Sequence, residues 1–152
     1  MFDDCHDLKN IGDVSHWNTA NLIDAGGWLN WAISFVGDKT GTLDLSGWNT
    51  NNLKAVGEMF LYTKLHTIDL SGWTFDSVTN DRWEGAGCGI YYEYGNDPDL
   101  VKGFGQMFKD ASQLSTVYIS QSGLNSFIAA VEREVNTLDM WTGSKAEGFT
   151  VK

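Results

Sequence analysis

A run of aromatic and acidic residues near the middle of the chain is the first candidate for binding chemistry. Residues 83–99 read WEGAGCGIYYEYGNDPD, which combines large aromatic rings with carboxylates and flexible glycines. Tyr and Trp offer a large contact area at a low entropy cost, so this composition is typical of protein-binding surfaces. The alternative is that the tyrosines replace leucines in a widened core. The residues predicted to bind a ligand are Trp83, Tyr91, Tyr92, Glu93, Tyr94 and Asp97.

Three tryptophans occupy one position of a recurring segment and form a second candidate. The segments read VSHWNT, LSGWNT and LSGWTF. A stack of such rings could bind sugar rings or a peptide, whereas aromatic residues that repeat in a stacked protein usually fill a corner of its core. We favour the core position for Trp17, Trp48 and Trp73.

Aspartates recur in the same segments, four positions before each tryptophan. If the segments stack about 5 Å apart, the carboxylates of Asp13, Asp44 and Asp69 could hold a cation. They could equally be solvated and separated by the neighbouring serines and water. The chain has no D-x-D-x-D-G calcium loop. We therefore predict no metal site and no cofactor.

Catalytic chemistry has little support in the sequence. His6, His16 and His66 are scattered over different repeat positions, and neither an H-E-x-x-H helix nor a G-x-S-x-G turn occurs. A hydrolase with paired carboxylates would need a cleft that holds two close acidic groups, which a repeat pattern does not predict. We expect surface histidines and a protein that is not an enzyme, and we keep a hydrolase as the last alternative.

The elements that must position these residues are repeats. The segment LKAVGEMF at 53–60 recurs as VKGFGQMF at 101–108 and, more loosely, as LIDAGGWL at 22–29. The tryptophans lie 31 and then 25 residues apart, so one coil is about 25 residues long, with an insertion near 31–39. Each such unit buries its apolar face only by stacking on its neighbours. The pattern predicts a solenoid.

Within a coil, the spacing of apolar residues predicts a strand and a short helix. The Leu-x-Leu alternation points two side chains to one side of a parallel strand, and apolar residues at i, i+3 and i+7 indicate a helical face. We predict strands near Val14 and at 43–45, 68–70, 90–94 and 117–119. The five coils lie near 8–29, 41–60, 65–84, 88–108 and 112–121, and a cap occupies 122–152.

These repeats resemble those of BspA-like bacterial surface proteins and mycoplasma-type lipoproteins. The resemblance rests on LDLSGWNT at 43–50 and on Met1, Phe2, Cys5 and Leu8 in the order of that repeat, and it covers most of 1–120. It implies an α/β, right-handed, leucine-rich-repeat-like solenoid at the cell surface that binds a protein or glycan of another cell or matrix. The departures are Gly12 at a leucine position, a fourth coil without its tryptophan, and Ser122 at that position in the fifth.

Charge and hydropathy limit the partners. The formal net charge is −10 at pH 7 with a pI near 4.5, which argues against nucleic acid and acidic membrane surfaces. No apolar run is long enough to span a bilayer, and residues 1–4 show no signal peptide. The resemblance implies that the chain is either a fragment of a larger exported protein or a mature segment with an added or internal Met. We expect it to act as an adhesin-type binding module. The alternative is a structural spacer in a longer surface array.

The two ends of the chain differ in the sequence. A solenoid cut inside a coil exposes an apolar edge, so we expect Phe2, Leu8 and Ile11 to be exposed and to allow self-association. At the other end, residues 126–135 have good helix formers after Ser126, which predicts a capping helix with that serine as its N-cap. The tail at 136–152 is expected to add a strand or hairpin.

Two cysteines permit one disulfide in an exported protein. The repeat register places Cys5 and Cys88 three coils apart, or roughly 15 Å at about 4.8 Å per coil. A disulfide needs Cα atoms within about 7 Å. We therefore favour two separate core thiols.

Overall fold

The strands form one parallel sheet in which sequence neighbours are spatial neighbours. The computed structural model describes residues 1–80 and 102–152. Its sheet has the order β1-β2-β3-β4, and the described residues contain one helix, α1, at Gln121–Glu132. This confirms an α/β, repeat-like fold. The strands are β1 at Thr42–Asp44, β2 at Thr67–Asp69, β3 at Thr116–Ile119 and β4 at Thr150–Val151.

The strand register aligns the aliphatic side chains as predicted. Leu43 pairs with Ile68, which pairs with Val117, and two residues further on Leu45, Leu70 and Ile119 are completely buried. Alternate residues of a strand point to one face, so each strand adds a layer to the same apolar interior. The sheet therefore places successive repeats directly on one another.

One predicted strand does not have the position that the sequence suggested. Thr67 pairs with Thr116 and Asp69 pairs with Tyr118, so β2 and β3 are direct neighbours. The prediction that a strand at 90–94 separates them is therefore wrong, although residues 90–94 themselves lie outside the described residues. The repeats before and after that stretch stack directly on each other. Extending the sequence period through the stretch therefore placed a strand between β2 and β3, where the sheet has none.

The first predicted strand, near Val14, does not occur in the described residues. Val14 is buried, and its carbonyl oxygen accepts a 2.9 Å hydrogen bond from the Trp48 indole. The chain just before it bends away from β1, because Gly12 has a φ of 75° and its amide bonds to the Asn10 side chain at 3.2 Å. Val14 therefore belongs to the first layer of the stack, but its backbone does not pair with a strand of the sheet.

A second ladder, built from turns, lies where short helices were predicted. The Phe60 amide donates to the Met107 carbonyl in the next layer at 2.9 Å, whereas the Met59 amide donates to Val56, three residues earlier, at 3.2 Å. Such alternation does not occur in a helix, whose bonds all stay within the segment. Successive turns also present residues i, i+3 and i+7 to the core, which explains the error. This turn ladder comprises 1–4, 25–31, 55–62, 103–110 and 136–142.

The turn ladder repeats an unusual backbone conformation at two aligned positions. Residues with φ between 53° and 79° occur four apart in successive segments. We call each row of aligned residues a column. The interlayer hydrogen bonds keep a column aligned, because the amide of a residue in one layer donates to the carbonyl of the residue that precedes its counterpart in the next layer. The first column contains Gly27, Glu58, Gln106 and Asp139; the second contains Asp4, Trp31, Tyr62, Asp110 and Gly143.

The helix begins earlier than predicted. Ser120 is the N-cap, and its hydroxyl accepts a 3.1 Å bond from the Gly123 amide. The predicted cap, Ser126, instead donates to the Gly123 carbonyl at 2.7 Å and accepts from the Phe75 amide at 2.9 Å. Ser126 therefore joins α1 to the preceding layer. The tail ends in β4, as the prediction of a strand required.

The N-terminal apolar side chains are less exposed than predicted. Phe2, Leu8 and Ile11 are each partly buried and pack against the core. The Phe2 amide also donates to the Trp28 carbonyl at 2.8 Å, which ties residues 1–4 to the next layer of the turn ladder. The prediction that these three side chains are exposed is therefore wrong, because the first turn folds onto the layer that follows it.

Candidate functional site

The predicted aromatic and acidic binding surface lies outside the described residues. This applies to all six of its members, Trp83, Tyr91, Tyr92, Glu93, Tyr94 and Asp97. The same holds for Cys88, so the pairing of the cysteines stays a prediction. Cys5 is half-buried and free.

The three repeated tryptophans form a continuous stack. Trp17 and Trp48 lie 6.3 Å apart between ring centroids with 12° between planes, and Trp48 and Trp73 lie 6.0 Å apart with 16°. The Trp73 indole donates to the Leu45 carbonyl at 2.8 Å, just as Trp48 donates to Val14 in the layer before. Exposure falls along the stack from 39% for Trp17 to 4% for Trp48 and 0% for Trp73. The core interpretation is confirmed for the last two.

The turn that carries each tryptophan explains why glycine precedes it. A Cβ atom on Gly47 would collide with the Ser15 carbonyl oxygen, and one on Gly72 would collide with that of Ser46. The first layer has His16 at the same position, exposed and 3.7 Å from the Asp13 carboxylate. The close approach of backbones at this turn therefore requires glycine only where another layer lies beneath it.

A recess opens at the exposed end of the tryptophan stack. It has a volume of about 380 Å³, and the indole rings of Trp17, Trp28 and Trp48 form part of its wall. The Trp28 and Trp48 rings meet edge to face, with 4.9 Å between their centroids. Apolar walls with a few polar groups at the rim are typical of ligand pockets. We call this recess the tryptophan pocket. Its lining is Met1, Trp17, Asn18, Thr19, Asn21, Leu22, Asp24, Ala25, Gly26, Trp28 and Trp48.

Sequence reasoning identified the rings of this pocket but not the pocket. Trp17 was predicted to lie in the core together with Trp48 and Trp73, because the repeat pattern does not distinguish one of these tryptophans from another. Trp28 occupies the repeat position of Met59, and like Met59 it is buried, with 5% of its surface exposed. The available signal was His16, which stands where the two sister segments have Gly47 and Gly72.

The repeated aspartates stabilise turns. Oδ1 of Asp13, Asp44 and Asp69 in each case accepts the backbone amide two residues later at 2.9 Å. Such a bond is typical of Asp at a turn. Among the residues that the structure describes, no group of three or more His, Cys, Asp or Glu side chains could hold a metal ion.

Two of these carboxylates have lowered pKa values. Hydrogen bonds from the Ser15 hydroxyl and amide lower the pKa of Asp13. Burial alone would raise the pKa of Asp69, but hydrogen bonds from Lys152 and Ser71 outweigh it and lower the pKa. The Lys152 ammonium lies 2.5 Å from the Asp69 carboxylate. Lys152 therefore ties the end of the chain, just after β4, to β2.

A second, more polar groove lies where the first layer separates from β1. Its volume is about 450 Å³ and its walls come from 10–15, 35, 37–39 and 42–44. Within it, Asp38 accepts bonds from the Thr40 hydroxyl at 2.6 Å and the Thr42 amide at 2.9 Å, and the hydroxyl bond is the main cause of its lowered pKa. The carboxylate therefore serves the local turn.

The three histidines and the aromatic residues of the insertion differ in their exposure. His6, His16 and His66 are exposed, as predicted. Of the aromatic residues in the insertion, Phe35 is completely buried, whereas Trp31 is only half-buried and its ring lies 4.3 Å from that of Tyr62.

The fold and the pocket define a protein of parallel, repeat-like layers with an aromatic recess at one end. Residues 1–84 of the 152 match a family described as DUF285, Mycoplasma protein of unknown function. The chain belongs to this family, which is related to BspA-like repeats. No curated protein and no solved structure matches it. None of the described helices is long and apolar enough to cross a membrane.

Proposed function

We propose that the chain is a non-enzymatic binding module of a bacterial cell-surface protein, of the adhesin type, with a protein or glycan partner. The tryptophan pocket is the observation that supports this proposal. It offers a concave, mainly apolar surface, with Asn18 and Asn21 among its lining residues. Such a surface suits the apolar face of a sugar ring or an aromatic or aliphatic anchor of a protein.

The proposed architecture is a right-handed leucine-rich-repeat-like solenoid of about five coils. Two sets of hydrogen bonds support it, since the strands and the turns each continue from one layer to the next. In a solenoid, interior side chains are covered by the layers on both sides. The end of the stack is then the natural place for an accessible aromatic side chain.

The residue before Trp17 also bears on the choice between a binding role and a spacer role. Where a layer of the same geometry lies beneath the turn, glycine is required, as Gly47 and Gly72 illustrate. His16 has a Cβ atom at that position and would obstruct such a layer beneath the first turn. This favours a pocket that stays accessible to a ligand.

A binding array tests the proposal. The fluorescently labelled chain would be applied to immobilised glycans and extracellular-matrix proteins, together with Trp17→Ala and the matched control His16→Ala. Trp17 lines the pocket and His16, one residue away, does not. We expect one or a few hits that Trp17→Ala abolishes and His16→Ala retains. Binding that survives in Trp17→Ala would contradict a role for the pocket.

The same array tests the predicted surface in residues 83–97. Trp83→Ala and Tyr92→Ala serve as variants for that surface. If these variants lose a hit that Trp17→Ala retains, the binding function holds and its site lies in that stretch. If no immobilised glycan or protein binds the wild-type chain, the spacer role is favoured.

A further inference from the structure

One edge of the sheet lies beside a groove. The sheet begins with β1, so among the described strands only β2 pairs with it. The polar groove between β1 and residues 10–15 has a volume of about 450 Å³, a size that is common for binding pockets. We call it the β1 groove. An unpaired strand edge presents N–H and C=O groups with which another chain can pair.

The hydrogen bonds of the sheet show which backbone groups of β1 face this groove. The Leu45 amide donates to the Asp69 carbonyl at 2.9 Å. Bonding groups point to alternate edges along a strand, so those of Thr42 and Asp44 point away from β2. Asp38 uses both groups of Thr42, because its Oδ1 accepts from the amide and its own amide donates to the carbonyl, each at 2.9 Å. Among the described residues, Asp44 has no such backbone partner on this side.

Comparison with the next layer shows which bond is missing at Asp44. Val14 is the counterpart of Leu45, 31 residues earlier. If the first layer paired with β1 as β1 pairs with β2, the Val14 amide would donate to the Asp44 carbonyl. In the described part of the chain, no backbone hydrogen bond joins residues 10–15 to β1. The first layer therefore leaves the backbone groups of Asp44 available to another strand.

The groove is a fixed part of the fold. Gly12 stands where the later layers have an aliphatic residue, and a Cβ atom on it would meet no atom of the described residues within 4 Å. Before Gly12, the Lys9 carbonyl accepts a 2.9 Å bond from the Val36 amide. After it, the Val14 carbonyl accepts a 2.9 Å bond from the Trp48 indole. The first layer is thus held at both ends of a stretch that stays apart from β1.

The charges along the groove favour a basic ligand. Asp13, Asp38 and Asp44 line it together with Lys39, and all four side chains are exposed. Three carboxylates against one ammonium group make the groove acidic. The formal net charge of −10 adds a long-range attraction for basic partners and disfavours acidic ones.

We propose that the β1 groove binds an extended, basic segment of a partner protein, which adds a strand to the sheet at Asp44. In strand addition, main-chain hydrogen bonds give affinity and alternate side chains give specificity. Lys or Arg at alternate positions of the segment would lie near the carboxylates. The apolar side chains between them would face Phe35 and Leu43, which line the groove and are buried.

This site is independent of the function proposed for the tryptophan pocket. The β1 groove and the tryptophan pocket have no lining residue in common. A failure of either proposal therefore leaves the other unaffected.

The test is a titration monitored by NMR at the backbone amide of Asp44. The probe is the acetylated and amidated peptide Lys-Val-Lys-Val-Lys, and the matched acidic probe has Glu in place of each Lys. A third probe is the basic peptide with an N-methyl group on every residue, which keeps the charges but removes the main-chain donors. We expect the basic peptide to shift the Asp44 signal at millimolar concentration and the acidic peptide to leave it unchanged. N-methylation should weaken binding by at least about threefold.

Two variants separate the groove from the charge of the whole chain. Asp44→Asn keeps an oxygen that can accept the Ser46 amide, as Asp44 does at 2.9 Å. It should weaken binding of the basic peptide by about twofold to fivefold. The matched control Asp76→Asn makes the same change in net charge at an exposed residue outside the groove, and it should leave the affinity unchanged.

Four results would overturn the proposal. The first is a wild-type Asp44 signal that does not respond to the basic peptide, and the second is an equal response to the acidic one. The third is undiminished binding of the N-methylated peptide, which would show attraction by charge without strand addition. The fourth is an Asp44 signal that shifts with protein concentration when no peptide is present, which would identify a second copy of the chain as the occupant.

Discussion

The two ends of the tryptophan stack carry the same residue in the same turn but differ in what covers it. Trp73 is completely buried, whereas Trp17 is 39% exposed. At the Trp73 end, α1 closes the stack, since a Cβ on Gly123 would lie 2.7 Å from the Trp73 carbonyl oxygen. At the Trp17 end, the ring forms a wall of an open pocket.

This difference shows how a repeat acquires an accessible pocket without a new motif. A repeated side chain is structural when layers lie on both of its sides. The same side chain becomes accessible where one layer is missing. In this molecule Trp17 is accessible, and His16 stands where the later layers have the glycine that close stacking of this turn requires.

The largest effect should come from truncating the two ends of the stack. We expect Trp73→Ala to destabilise the fold by about 3 to 5 kcal/mol, because it leaves a cavity in the core. Trp17→Ala should cost about 1 kcal/mol or less, since its ring is partly solvated already. Urea unfolding monitored by far-UV circular dichroism would give both values. Equal losses would contradict the difference between the ends.

The aligned interior should be nearly as sensitive. Leu45→Ala and Leu70→Ala should each lower the free energy of unfolding by about 2 to 5 kcal/mol, because both side chains are fully buried in adjacent layers. Asn51→Ala, at an exposed turn, should cost under about 1 kcal/mol. The check is thermal melts of the three variants, and similar shifts in all of them would argue against the register.

The glycine before each tryptophan gives a smaller contrast. Gly72→Ala should destabilise the fold by about 1 to 3 kcal/mol, because its new methyl group meets the Ser46 carbonyl. The counterpart His16→Ala should change stability by no more than about 0.5 kcal/mol. Chemical denaturation of the two variants measures this. A neutral Gly72→Ala would show that the layers are not so closely spaced.

The smallest expected effect is a dependence on acid. The folded-state pKa of Asp69 is lowered, so its contribution to stability is present above the unfolded pKa and is lost as the pH falls through the folded one. Asp69→Asn should therefore reduce the loss of stability between about pH 4 and pH 2. Thermal midpoints across that range would show it. Lys152→Gln should have a similar, weaker effect, and an unchanged acid slope in both would contradict the assignment.

The sequence predicted the layers well where a layer is a strand. The Leu-x-Leu segments located β1, β2 and β3, because alternation has a single structural meaning in a buried strand. It failed for the turn ladder, because the spacing of Leu53, Val56 and Phe60 fits a helix and a row of turns equally well. Positive φ values distinguish a row of turns from a helix, but a residue type such as Glu58 gives no indication that its φ is positive.

The candidate binding site was less predictable than the layers. Repetition identified Trp17 but could not show that its column ends there in an open pocket. Trp31 and Tyr62 are 31 residues apart, and no motif connects them. They meet only because interlayer hydrogen bonds bring equivalent turn positions together. Contacts of this kind depend on how the turns of successive layers align, and a single sequence contains little information about that alignment.

Hydrogen exchange of the indole protons is the most direct test of the account. Trp48 and Trp73 donate to carbonyl oxygens of the preceding layer, at 2.9 and 2.8 Å, inside the stack. We therefore predict that their indole N–H signals persist in D₂O and that the Trp17 signal disappears first, as followed by ¹H–¹⁵N correlation spectra. Equal exchange for all three tryptophans would contradict the stacking of layers and the open end alike.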